Sequence, residues 1–397
     1  MQTRTPWLMI LALYAAGLGA AAQFSKMAVV FPLMAPVWPE AGASLGLLVS
    51  LISALGVVFG LVAGIFVARL GTRRMLIAAL VLGSAMSGLQ ALTPGLGVML
   101  VSRVIEGAAH LAIVVAAPTL IAQITPDATR PAAMTFWGTF FGVAFAVTAL
   151  WGVPFAGWAG VGALFALHGV FMLALAVLLA VMLPEDAQFG DAQFGDARLK
   201  TAAKLSLHAV LRQHVQVYAS PFLSAAALGW LFYTMTFVAL LTLAPALLPG
   251  PDAVLFATLA PLAGITLSLS LGVRLLRYLT GVQVVLAGFA TSALCVLTLL
   301  GWPAQVWLWI ALFGALGLVQ GASFAAIAQI NQSAQDRALA NGALAQMGNL
   351  GNLSGTPVGL LLLSGLGLRG LLIAVGLAYV VAFALHLGLA RRRQTQS

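Results

Sequence analysis

GIFVARLGTRR, residues 64–74, is the first place where a nearly uncharged apolar sequence breaks into a basic cluster. Arginines in short loops resist translocation, so Arg69, Arg73 and Arg74 mark the cytoplasmic side of a bilayer and give each neighbouring apolar run a direction.

Composition agrees with a bilayer as solvent. The 397 residues are 62% hydrophobic and 7% charged, with a mean hydropathy of +1.07, whereas soluble domains carry about 25% charged residues. A spanning helix needs about 20 apolar residues, which leaves room for roughly a dozen spans. The net charge of +9 would point to nucleic acid in a soluble protein. Here, of the 18 Lys and Arg, the expected topology leaves Arg369 in an outer loop, Lys26 and Arg103 within spans, and the rest inside. That is orientation charge, and a nucleic-acid partner is not expected.

Outward from the basic cluster, apolar runs are expected at about 7–34, 44–68, 75–91, 96–124, 133–151 and 161–183. Thr93-Pro94-Gly95 makes one outer turn, and Pro154 with Gly157 closes another. A cleavable leader ending at Ala20-Ala21-Ala22 is disfavoured, because cleavage there leaves a stub too short to span. Residues 185–213 are the one extended polar segment: a tandem AQFGD repeat reads as a flexible linker. The following KLSLHAVLRQH is weakly amphipathic, equally suited to a membrane surface or to solvent. A second set of runs follows at about 217–247, 254–275, 279–300, 306–330, 340–363 and 370–390. The expected fold is an all-α integral membrane protein of twelve spans in two pseudo-symmetric six-helix bundles. Residues 1–184 and 214–397 form the bundles, 185–213 the linker, and both termini are cytoplasmic.

At this point the chain resembles the major facilitator superfamily over nearly its whole length. The family's loop between spans 2 and 3 reads roughly G-x-x-x-D-R-x-G-R-R. Gly64, Arg69, Gly71, Arg73 and Arg74 fit it, while Ala68 stands where the acid is usual and Thr72 where the first basic residue is usual. In the family that acid latches one conformation, so the latch lacks its acid here. Residues 103–107 are similar to the R-x-x-x-G motif of span 4, whose arginine is linked to proton coupling. Span 5 holds Gly138 and Gly142 but lacks the G-P pair associated with drug antiporters, which leans against drug efflux. The Asn-Gly texture of 341–352 is similar to that of cyanate-permease-like members. The resemblance implies a monomer working by alternating access, with a cavity lined by spans 1, 4, 7 and 10.

Ionised side chains at membrane depth are costly and therefore informative. At about 1.5 Å per residue, Lys26 lies about 12 Å, Arg103 about 10 Å and Glu106 about 15 Å below the outer surface, in one layer, with His110 at about 21 Å. Positions 103, 106 and 110 share one helical face, and the resemblance sets this stripe across water from Lys26. Two cations and one carboxylate leave one positive charge, which a monoanionic substrate neutralises. In this reading Lys26 and Arg103 bind substrate, while Glu106, with Arg103 and His110, couples protons. The bland alternatives are a snorkelling Lys26, an Arg103–Glu106 pair that fixes packing, and a merely hydrogen-bonded His110; His168 takes the bland reading too. Tyr233, Gln320 and Gln346 are the candidates for the substrate's polar remainder.

No phosphate-cradling G-x-x-x-x-G-K-[ST] run, metal-ligand spacing or soluble catalytic domain is present in the sequence. Neither cofactor nor metal is expected, and energy must come from a gradient. The leading expectation is proton-coupled uptake of a small organic anion across an inner membrane. Efflux of amphipathic compounds is the alternative within transport, and a receptor or a membrane enzyme lies further off.

Overall fold

The computed structural model describes residues 5–61, 63, 70–126, 129–184, 207–248 and 250–395. Gly64, Ala68 and Arg69 of the basic loop and the AQFGD repeats lie outside the described residues. Among the described residues the chain is helical, and ten helices are long and apolar enough to cross a membrane.

In the first half these are α1 (Trp7–Ala28), α3 (Thr72–Ala91), α4 (Leu96–Ile124), α5 (Ala132–Ala159) and α6 (Val161–Met182), with the shorter apolar helix α2 (Leu45–Phe59) between the first two. An amphipathic helix, α7 (Leu207–Ala219), precedes the second half. The second half comprises α8 (Ala225–Ala246), α9 (Pro251–Leu275), α10 (Gly281–Gly301) and α11 (Val306–Ile330), then α12 (Ala334–Gln394). At about 1.5 Å per residue α12 would be three times as long as a bilayer core is thick. It breaks at Gly367 (φ 66°, ψ −172°), whose left-handed backbone separates two helical limbs.

Helix α3 packs between α4 and α6, and α1 touches all three, while α8, α10 and α11 pack on α12 or on each other. Two seams join the halves: α2 lies along α12, and α5 lies along α9. Small residues let these backbones close up, with Gly56 against Asn349, Gly60 against Gln346 and Gly142 against Ile265. One buried apolar cluster draws only on the first half, including Leu13, Leu80, Ile113 and Met172.

Two of the boundaries that differ from the sequence expectation have a local cause. The turn expected at Pro154 and Gly157 lies inside α5, because a π turn at Thr148–Gly152 re-registers the hydrogen bonds just before the proline. The chain reverses instead at Gly160, with φ 86°. The run expected from 217 divides into α7 and α8, because Pro221 disfavours helix at Ser220. The Ser220 hydroxyl there accepts from the amides of Phe222 and Leu223, each at 3.3 Å.

The basic side is built from arginines that cap helix ends. Arg73 donates to the carbonyls of Leu183 (3.0 Å) and Ala180 (2.7 Å) at the end of α6. Arg130 donates to Ala122 (2.9 Å) and Thr125 (3.1 Å) at the end of α4. Last-turn carbonyls have no helical partner, and a cation beside them also meets the negative end of the helix dipole. Gly71 starts α3 at φ 86°, ψ 136°, where a side chain is strained.

Candidate functional site

Four helices of the first half converge on one buried polar cluster. Lys26 near the end of α1 is 1% exposed, and Arg103 and Glu106 on α4 are fully buried. The sequence reading set Lys26 apart from the α4 stripe; in the structure the two touch. Lys26 Nζ lies 2.7 Å from Glu106 Oε1, and Arg103 pairs with Glu106 Oε2 from one turn before.

Helices α3 and α6 supply partners that the sequence reading did not select. Lys26 Nζ donates to Ser87 Oγ at 2.6 Å. Gln90 Nε2, on the same face of α3 as Ser87, donates to Glu106 Oε2 at 2.7 Å. His168 Nε2 lies 2.9 Å from the Gly19 carbonyl. A carbonyl only accepts, so Nε2 carries the hydrogen, and Nδ1 is left to accept from the Ser87 hydroxyl at 2.7 Å. Both oxygens of Glu106 are thus met by donors. The signal available in the sequence was a serine and a glutamine three residues apart in a span whose one other polar residue is Ser84, with a histidine in span 6.

Arg103 also reaches across to α2, where Nε donates to the Leu48 carbonyl at 2.6 Å. One turn along, Gly107 lies against the Ile52 carbonyl. The R-x-x-x-G spacing therefore reads two carbonyls one turn apart on α2, just where that helix tightens at Leu51–Ser53. The remaining arm of Arg103, Nη2, is buried with no hydrogen-bond partner among the described residues. Two cations and one carboxylate form the cluster, and the second half contributes no buried Lys, Arg, Asp or Glu among the described residues.

His110 stands apart from this network. Its Nδ1 donates to the Ala20 carbonyl at 3.0 Å, and its ring meets Phe24 edge-on at 5.0 Å. In the second half, Tyr233 is buried between Trp230 and Phe237, at centroid distances of 4.5 and 5.3 Å. Gln320 is half-buried on α11. Gln346 lies at the seam between the halves: its amide donates to the Val57 carbonyl of α2 at 2.6 Å and contacts His214 Nε2 of α7 at 3.0 Å. Its oxygen accepts from the Tyr218 hydroxyl at 2.7 Å.

The model of one protein family, described as Major Facilitator Superfamily, matches residues 13–280 of the chain. No curated protein matches it.

Proposed function

Because the chain belongs to the major facilitator superfamily, it is a membrane transporter, and we propose that it takes up a small organic anion together with a proton by alternating access. The observation that carries this reading is the unbalanced charge of the buried cluster. Lys26 and Arg103 face one carboxylate, Glu106, and one arm of Arg103 is left without a partner. Burying an uncompensated charge is expensive, and a bound carboxylate at that arm relieves it. Charge balance then ties each anion to a proton: the cluster is neutral with the anion bound, and on the anion's release the Lys26 ammonium, the one cation of the pair able to deprotonate, loses a proton and restores neutrality. Lys26, Arg103 and Glu106 form the coupling unit, with His110 one turn beyond.

In this scheme Tyr233, Gln320 and Gln346 meet the substrate's polar remainder from the second half. Gln346 becomes available once it releases Val57, Tyr218 and His214, which links binding to opening of the α2–α12 seam. Twelve spans follow from counting α2 and the two limbs of α12 with the other long helices. Their even number puts both termini on the basic side, the cytoplasmic face of an inner membrane. We assign residues 1–184 and 214–397 to the two bundles, 185–213 to the linker between them, and a monomer as the working unit.

A thermal-shift screen over carboxylates, amino acids and inorganic anions at two pH values identifies the substrate class, since ligands stabilise the state they bind. A hit should then accumulate in liposomes under an inward proton gradient. Accumulation that ignores a protonophore removes the coupling, and Lys26→Ala should lose the anion while sparing a neutral analogue.

A further inference from the structure

Helix α7 presents three distinct sides. Taking Leu211 as zero and about 100° per residue, Val215 falls near 40°, Arg212 and Gln216 near 100° and 140°, and Val217 near 240°. Val217 is 1% exposed and faces the protein, and His214 near 300° and Tyr218 near 340° continue that side and both hold Gln346. Arg212 and Gln216 are exposed and polar. Between the polar side and the protein side, Leu211 and Val215 stand one turn apart at 57% and 70% exposure. A solvated helix packed on a protein needs two kinds of side; a helix at a membrane surface needs this third, apolar one.

Position and charge agree. The helix ends at Ala219 and the chain enters the long apolar helix α8 at Ala225, with Arg393 holding the Pro221 carbonyl between them at 2.8 Å. Arg198, Lys200, Lys204 and Arg212 precede or lie in α7, and no acidic residue occurs between Asp196 and Asp252. A basic stretch without acids, beside an apolar stripe, complements a leaflet of anionic lipid.

We propose that α7 docks on the bilayer surface, with Leu211 and Val215 among the acyl chains and Arg212 on anionic headgroups. Since His214 and Tyr218 on its protein side hold Gln346, and Gln346 holds Val57 of α2, the leaflet and the seam between the halves share one helix.

The test uses the full chain with Cys295→Ser, nitroxide-labelled through Val215→Cys or Gln216→Cys, in phosphatidylcholine vesicles with and without phosphatidylglycerol. Power saturation should show the label at 215 favouring oxygen and the label at 216 favouring a nickel chelate. The contrast should shrink without phosphatidylglycerol and in Arg212→Gln. Equal nickel access at both positions would overturn the docking, and an unchanged contrast without anionic lipid would overturn the headgroup contact. A spectrum at 215 that sharpens on dilution with unlabelled protein would give the face to a second copy instead.

Discussion

Gly107 of α4 lies so close to the Ile52 carbonyl of α2 that a methyl group there would overlap the oxygen. Backbone cannot rotate out of the way as a side chain can. Gly107→Ala should therefore push α2 from α4, pull the Leu48 carbonyl from Arg103, and lower stability by about 1–3 kcal/mol. Gly88→Ala is the control, because nothing lies within 4 Å of a Cβ built there, and alanine is the better helix former by about 1 kcal/mol in solution. Thermal unfolding in detergent should show a clear loss for the first and none for the second.

The buried cluster makes an asymmetric prediction. Removing Lys26 leaves Arg103 and Glu106 as a balanced pair, whereas removing Glu106 leaves two buried cations facing each other. Breaking a buried pair by deleting one partner costs about 3–5 kcal/mol. Glu106→Gln should reach that range, and Lys26→Met should cost distinctly less. Equal losses, measured by unfolding of the detergent-solubilised protein, would mean that Arg103 does not share the carboxylate as its geometry indicates.

What was legible beforehand follows from what each signal depends on. Span positions depend on local hydropathy, so α4 and α11 fall at 96–124 and 306–330 as expected. The cluster was legible as far as cost alone reveals it, since an ionised side chain in an apolar run announces itself. Ser87, Gln90 and His168 are neutral and cheap to bury once paired, and which helices bring them to Lys26 is decided by packing. Pro154 misled because a proline signals a break but a π turn absorbs it. Gln346 was selected for its depth, while its partners come from α2 and α7, far away in the chain.

The first turn of α3 should fail in two separable ways. Gly71→Ala forces a side chain into a backbone conformation with φ 86°, at a cost of order 1–3 kcal/mol. Arg73→Lys keeps the charge but loses the planar fork that meets the Leu183 and Ala180 carbonyls together. That should cost about 1 kcal/mol, and lysine should rescue little of what glutamine loses. Unfolding midpoints of the three variants in one detergent decide it; a full rescue by lysine would make charge, not geometry, the function of Arg73.

Tyr218 gives a prediction in pH. Burial pushes its hydroxyl up to about 12 from an ordinary value of 10.0, so the native protein keeps the proton that Tyr218 donates to Gln346 where the unfolded chain has lost it. A raised native value means that the stabilising contribution is complete below about pH 10 and is lost as pH rises towards 12. Tyr218→Phe removes the donor and the titration together. It should cost about 1 kcal/mol at neutral pH, and the gap between variant and parent should narrow above pH 10. Other tyrosines ionise in both proteins, so the difference between the two unfolding curves isolates Tyr218. A gap that stays constant through pH 12 would mean that the hydroxyl is not buried between α7 and α12.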